Sequence, residues 1–135
     1  MTMAIRIVRL GSPRAPDEGL RIGTVRRPPR GVPKAEFASR DFYDVWFPNL
    51  SPSEPLLKAY FPITDAAREW RSFTRQFNAE LKRPDAVRDL DLLAALSHDT
   101  NFSIGCYCED ESLCHRSLLK EQLLRRGAVI VGASD

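Results

Sequence analysis

A short apolar run, Phe102 to Cys106, breaks into a polar loop, and the loop feeds a leucine-rich helical pattern, Leu118 to Leu124. A strand that ends in a loop and hands over to a helix is the repeating unit of α/β folds, which usually bind their ligands at that loop. The loop reads Cys106-Tyr107-Cys108-Glu109-Asp110-Glu111-Ser112-Leu113-Cys114-His115-Arg116 and holds all three cysteines and one of the two histidines. The helix is expected from about Cys114 to Arg126, with Gly127 as its stop. Ala128 to Val131 then reads as a final strand, reached by a right-handed parallel crossover.

The rest of the chain is consistent with this unit. Ile5, Ile7, Val8 and Leu10 suggest a first strand, and Leu20 to Val25 alternates well enough for a second. Arg26 to Lys34 carries Pro28, Pro29, Gly31 and Pro33, so it is an extended, stiff loop without regular structure. Phe42 to Phe47 is rich in aromatic residues and reads as a short strand, Pro48 to Pro55 as a turn, and Leu56, Leu57, Tyr60 and Phe61 as the face of a short helix. The clearest helix is Asp65 to Leu81, where Ala66, Trp70, Phe73, Phe77 and Leu81 form one apolar stripe under a Thr64 or Asp65 cap. Pro84 opens another helix, with Val87, Leu90, Leu93, Ala94 and Leu96 on its buried side.

Composition bounds the function. At 135 residues the chain reads as one α/β domain, with a core from about residue 4 to 131. A net charge of +2 is too small to imply nucleic acid by itself. The basic residues are uneven, however: Arg21, Arg26, Arg27, Arg30 and Lys34 form a stretch that is either a solvated loop or a phosphate-facing one. No apolar run approaches the roughly 20 residues needed to span a bilayer. Met1 to Leu10 reads as a strand and not as a leader, and clustered, odd-numbered cysteines fit reduced thiols in a cytoplasm.

The Cys-His-Arg cluster carries the chemistry. At the first turn of a helix, free backbone N–H groups and the dipole favour anions and lower the pKa of a thiol at Cys114. Arg116 adds a forked donor for phosphate or carboxylate, while Glu109 to Glu111 are expected to face water. Packing explains the same residues differently: His115 lies on the apolar face with Leu118 and Leu119, and Cys106 and Cys108 serve as small hydrophobes. A metal set of Cys106, Cys108, Cys114 and His115 does not match common zinc spacings, and adjacent helical residues point about 100° apart. A phosphatase or rhodanese loop would need arginine at position 114. A redox pair of a strand-end cysteine with Cys114 is open, without a Cys-x-x-Cys motif.

Cys106, seven residues, then Cys114-His115-Arg116-Ser117 followed by leucines resembles the C-terminal signature of the domain-of-unknown-function 488 family. Arg26, Pro29-Arg30-Gly31 and Lys34 are similar to the basic loop of its YeaO-like branch. Leu50-Ser51-Pro52-Ser53 with Leu57 and Lys58, and Trp70, Phe73, Phe77, Glu80 and Leu81, extend the likeness over roughly Leu20 to Gly127. Val25 stands where the family often has aspartate, and Cys108 lies outside the pattern. The resemblance implies a small Rossmann-like α/β domain and leaves the reaction open.

Together these features lead us to expect a cytoplasmic, single-domain, Rossmann-like three-layer protein with a small mixed, largely parallel sheet. Its expected ligand is phosphorylated or otherwise anionic: a small molecule, a nucleotide or a nucleic-acid end. Arg26, Arg30, Cys106, Arg116 and Ser117 would bind it. In an enzyme, Cys114 would be nucleophile or donor and His115 the acid/base. No metal site is assigned and the cofactor is unknown, as are oligomeric state and the role of Cys108. The rival is a non-catalytic interaction domain with structural cysteines and histidine, which a buried, unreactive Cys114 would favour.

Overall fold

A computed structural model describes residues 3–132. Four strands, β1 (Ile5–Arg9), β2 (Leu20–Gly23), β3 (Val45–Trp46) and β4 (Phe102–Cys106), form a sheet in the order β1-β4-β2-β3. Each pairing is parallel, so the sheet expected as mixed and largely parallel is parallel throughout these strands. β4 is interior and all five of its residues are buried. Its sequence, Phe-Ser-Ile-Gly-Cys, suits a strand covered on both faces because it carries no charge. Gly105 permits the tight fit: a Cβ there would sit 2.6 Å from the Val8 carbonyl oxygen.

The helices are α1 (Glu54–Tyr60), α2 (Ala66–Glu80), α3 (Pro84–Leu96) and α4 (His115–Arg125). Ser53 caps α1 and Asp65 caps α2, each side chain accepting a free first-turn N–H, and Pro84 opens α3 as expected. The α2 stripe is the centre of the core. Phe73 and Phe77 are fully buried, and Phe73 stacks on Trp70 and meets Tyr60 and Phe61 edge-on. Each such ring contributes roughly 2–3 kcal/mol through removal from water. Among the described residues no helix is long and apolar enough to cross a membrane.

All four helices share one buried cluster with the side of the sheet that carries Ile5, Ile7, Ile22, Phe102 and Ile104. The other side is covered by irregular segments. Leu10 and Tyr43 pack there, and a Cβ on Gly23 would run into the Tyr43 ring. The three layers are therefore helices, sheet and loop.

Three expectations change in detail. The Phe42 to Phe47 strand shrinks to Val45–Trp46, because Phe42 and Tyr43 turn inward against Tyr107 and Phe37. The final strand is a single parallel bridge of Ile130 to Ile5. Arg21, grouped by sequence with the solvated basic stretch, is fully buried. Its Nε and Nη2 donate to the Glu18 carboxylate at 2.7 and 3.0 Å, and its Nη1 donates to the Ser12 and Asp41 carbonyls at 2.8 and 2.7 Å. A buried charge is tolerated only with this degree of pairing.

Candidate functional site

The site lies at the carboxyl ends of β2 and β4. β4 stops at Cys106. A single 3-10 turn, Glu111–Leu113, then returns the chain, and Cys114 follows as the N-cap of α4 with φ −125° and ψ 144°. Cys114 is thus extended, not helical, so its side chain is free of the 100° rule that separates neighbours on a helix. It turns back toward β4. The sulfurs of Cys106 and Cys114 are in bonding contact while their Cα atoms stand 7.6 Å apart. With His115 they bring three metal-competent donor atoms within 4.8 Å of one another.

His115 is the first residue of α4 and is buried, with its ring edge-on to Phe77 at 5.8 Å. Its Nε2 lies 2.6 Å from the Thr24 carbonyl oxygen. A carbonyl only accepts, so Nε2 carries the hydrogen and Nδ1 keeps a free lone pair. That lone pair faces the Cys114 sulfur at 3.9 Å. Burial pulls the His115 pKa down to about 4, helped by the charges of Arg116 and Arg26 and opposed by the Thr24 hydrogen bond. At neutral pH the ring is therefore a neutral acceptor. It can accept a hydrogen bond or hold a metal, and it is neither a ready acid nor a strong base.

Arg116 is a buried cation whose Nη1 donates to the Val8 carbonyl at 3.2 Å, to the Cys106 carbonyl at 3.5 Å and to the Cys106 sulfur at 3.7 Å. Its Nε is buried without a partner. Ser117 turns its hydroxyl back to the Cys114 carbonyl at 2.8 Å, so it closes the first turn of the helix.

A pocket of about 210 Å³ opens beside this cluster. Its wall includes Arg26, Leu57, Phe61, Cys106, Tyr107 and His115. Arg26 is held there by two carbonyls: its Nε donates to Pro52 at 3.1 Å and its Nη2 to Ser51 at 3.0 Å. Arg27, also on this wall, is ion-paired with Glu54. Arg30 lies elsewhere, in a second hollow with Pro28, Pro29, Phe42 and Tyr107.

The sequence-nominated residues thus divide. Cys106, Cys114, His115 and Arg116 come together, and Arg26 joins Cys106 and His115 on one pocket wall. Arg30 does not join that wall. Cys114, nominated as the nucleophile, has no exposed surface, as a packing cysteine would. Cys106 is buried too, at 1% exposure, but it lines the pocket together with Cys108. Glu109 turns outward to Arg9, Asp110 accepts from the Ser112 backbone N–H, and exposed Glu111 acts on Arg116 through its charge without a hydrogen bond to the cluster. Sequence reasoning missed Leu57 and Phe61 as pocket walls, since helical spacing names an apolar face without saying what it encloses. It missed Thr24 because that residue acts through its carbonyl, which has no sequence signature.

Residues 5–127 match the family model DUF488-N3a, described as the active DUF488-N3 subclade. The chain belongs to the DUF488 family. No curated protein and no solved structure matches it. The DUF488 match runs from β1 to the end of α4, so the basic loop, the pocket and the Cys-His-Arg cluster all fall inside it.

Proposed function

We propose that this DUF488 protein binds a small phosphorylated or otherwise anionic molecule in the Arg26 pocket. The observation that carries the reading is the composition of that wall: a fixed arginine, an apolar floor of Leu57 and Phe61, and the Cys106 and His115 side chains. Such a mixture fits a ligand with one charged end and one flat or apolar end, a mononucleotide among them. The pocket is smaller than the roughly 300 Å³ at the low end of drug-sized sites, which favours a small ligand over a polymer. Two of the Arg26 nitrogens are tied to carbonyls, so the guanidinium is already positioned before an anion arrives. In this reading Cys106, not Cys114, is the thiol that meets the ligand. Arg116 at its sulfur favours the thiolate, and neutral His115 is a hydrogen-bond acceptor beside it. The description of the matched subclade as active agrees with a working centre. A reducing cytoplasm, where the thiols stay free, is the compartment it suits.

Titration of the reduced protein with inorganic phosphate and with nucleoside monophosphates, followed by backbone NMR shifts, tests the reading. Saturable shifts at Arg26, Leu57, Cys106 and His115 that weaken with salt are the expected result. An unchanged spectrum at millimolar ligand would overturn it in favour of an interaction domain.

A further inference from the structure

We propose that, with both thiols reduced, Cys106 Sγ, Cys114 Sγ and His115 Nδ1 form a three-ligand site for a divalent ion of the zinc class, with the fourth coordination position turned to the pocket. Four observations carry this. First, the three donor atoms lie within 4.8 Å of one another although they come from a strand end, a helix cap and a helix start. Second, the histidine is oriented as a ligand. Its Nε2–H is spent on the Thr24 carbonyl, which fixes the tautomer and aims the Nδ1 lone pair at the sulfurs. A backbone carbonyl on the far nitrogen is the usual support for a metal-bound imidazole.

Third, the spacing fits. The Cys114 Sγ to His115 Nδ1 distance is 3.9 Å. Tetrahedral zinc with bonds of about 2.3 Å to sulfur and about 2.05 Å to nitrogen would place those atoms about 3.6 Å apart. The Cys106 and Cys114 Cα atoms are 7.6 Å apart. The two sulfurs touch in this structure, so on reduction they part to the roughly 3.8 Å that two thiolates on tetrahedral zinc take, a separation this Cα spacing allows. Fourth, the donor set is soft and water-poor. Two thiolates and an imidazole select zinc-class ions over magnesium or calcium, and the neighbouring carboxylates of Glu109 and Asp110 are engaged elsewhere.

The proton balance is simple. Two S–H bonds break, two metal–sulfur bonds form, and two protons leave to solvent, so two thiolates cancel the charge of the ion. Arg116 at the Cys106 sulfur supports the thiolate form. Cys106 and His115 both line the pocket, so a pocket ligand can reach the ion's open position. The objection from sequence, that Cys114 and His115 must diverge as helical neighbours, fails because Cys114 is extended.

The test uses the full chain, reduced with a phosphine and freed of metal, titrated with cobalt(II) under argon. Expected are sulfur-to-cobalt absorption in the near ultraviolet and tetrahedral visible bands, saturating at one ion per chain and abolished by excess zinc. Cys108→Ser should keep the bands, whereas Cys106→Ser and Cys114→Ser should each lose them while circular dichroism confirms that they fold. If neither serine variant folds, the parent and Cys108→Ser decide: bands in both support the site. No tetrahedral bands from the folded, reduced parent, or loss of the bands in Cys108→Ser, overturns it. Phosphate binding is measured on metal-free protein, so failure there leaves this result standing, and the reverse.

Discussion

The Arg116 guanidinium rests on the Cys106 sulfur, with Nη1 3.7 Å from Sγ and 3.2 Å from the Val8 carbonyl oxygen. One side chain therefore ties the start of α4 to the ends of β1 and β4. Removing it takes a charged donor from the Val8 and Cys106 carbonyls, of which Cys106 keeps the Leu10 N–H at 2.8 Å. A hydrogen bond from a charged donor is worth about 1.5–3 kcal/mol. Arg116→Ala is expected to destabilise the fold by on the order of 3 kcal/mol in urea unfolding. Arg125→Ala, whose exposed ion pair with Glu121 is worth about 0.5 kcal/mol or less, is the control. Equal effects would mean that Arg116 does not tie the strands to the helix.

How much of this was legible in the sequence depends on which physical signal each residue leaves. β4, the α2 stripe, the Pro84 start and the α4 stop were readable because burial imposes a period and caps impose residue types. Cys106, Cys114, His115 and Arg116 were readable as a cluster because they are close in sequence. Their geometry was not, because it turns on whether Cys114 is helical or extended. Arg21 was misplaced since charge alone suggests solvent. The signal that places it inside is Glu18 three residues earlier, but only the folded chain adds the Ser12 and Asp41 carbonyls that complete the pairing.

The aromatic centre gives a stability prediction. Phe73 is fully buried against Tyr60, Phe61, Trp70 and Phe77. Phe73→Ala should cost about 3–5 kcal/mol, since it removes a ring and leaves a cavity. Arg71→Ala, on the exposed face of the same helix, should shift the unfolding midpoint little. A small loss at Phe73 would mean that the α2 stripe does not anchor the core.

Buried Glu18 sets an acid limit. Burial alone would raise its pKa, but hydrogen bonds from Arg21, Ser103 and the Ala15 backbone N–H outweigh that and hold it down from 4.5 to about 2. A carboxylate depressed in the folded state adds stability above its unfolded pKa, and this is lost as pH falls through the folded value. Stability should therefore drop between about pH 4.5 and pH 2, by roughly 3 kcal/mol from this group. Glu18→Gln should flatten that part of the profile and lower stability at pH 7, because it strands the Arg21 charge inside. Urea melts across this range read both effects, and an unchanged slope in the variant would remove Glu18 as the cause.

The two arginines of the basic loop should separate cleanly. Arg26 is on the pocket wall with Cys106 and His115, and Arg30 is in the other hollow. A hydrogen bond to a charged partner is worth about 1.5–3 kcal/mol, and each 1.4 kcal/mol is about tenfold in affinity. Arg26→Ala should thus weaken phosphate or mononucleotide binding by roughly tenfold or more. It also frees the Ser51 and Pro52 carbonyls, so a thermal melt must show that the fold survives before the affinity is compared. Arg26→Lys keeps the charge but cannot grip both carbonyls and the anion at once, and should fall between parent and alanine variant. Arg30→Ala should leave affinity within about twofold, since Arg30 lines the neighbouring hollow and not the Arg26 pocket. Calorimetric titration of the four proteins decides the matter. If Arg30→Ala costs as much as Arg26→Ala, the anion sits in the outer hollow and the Arg26 pocket is not the binding site.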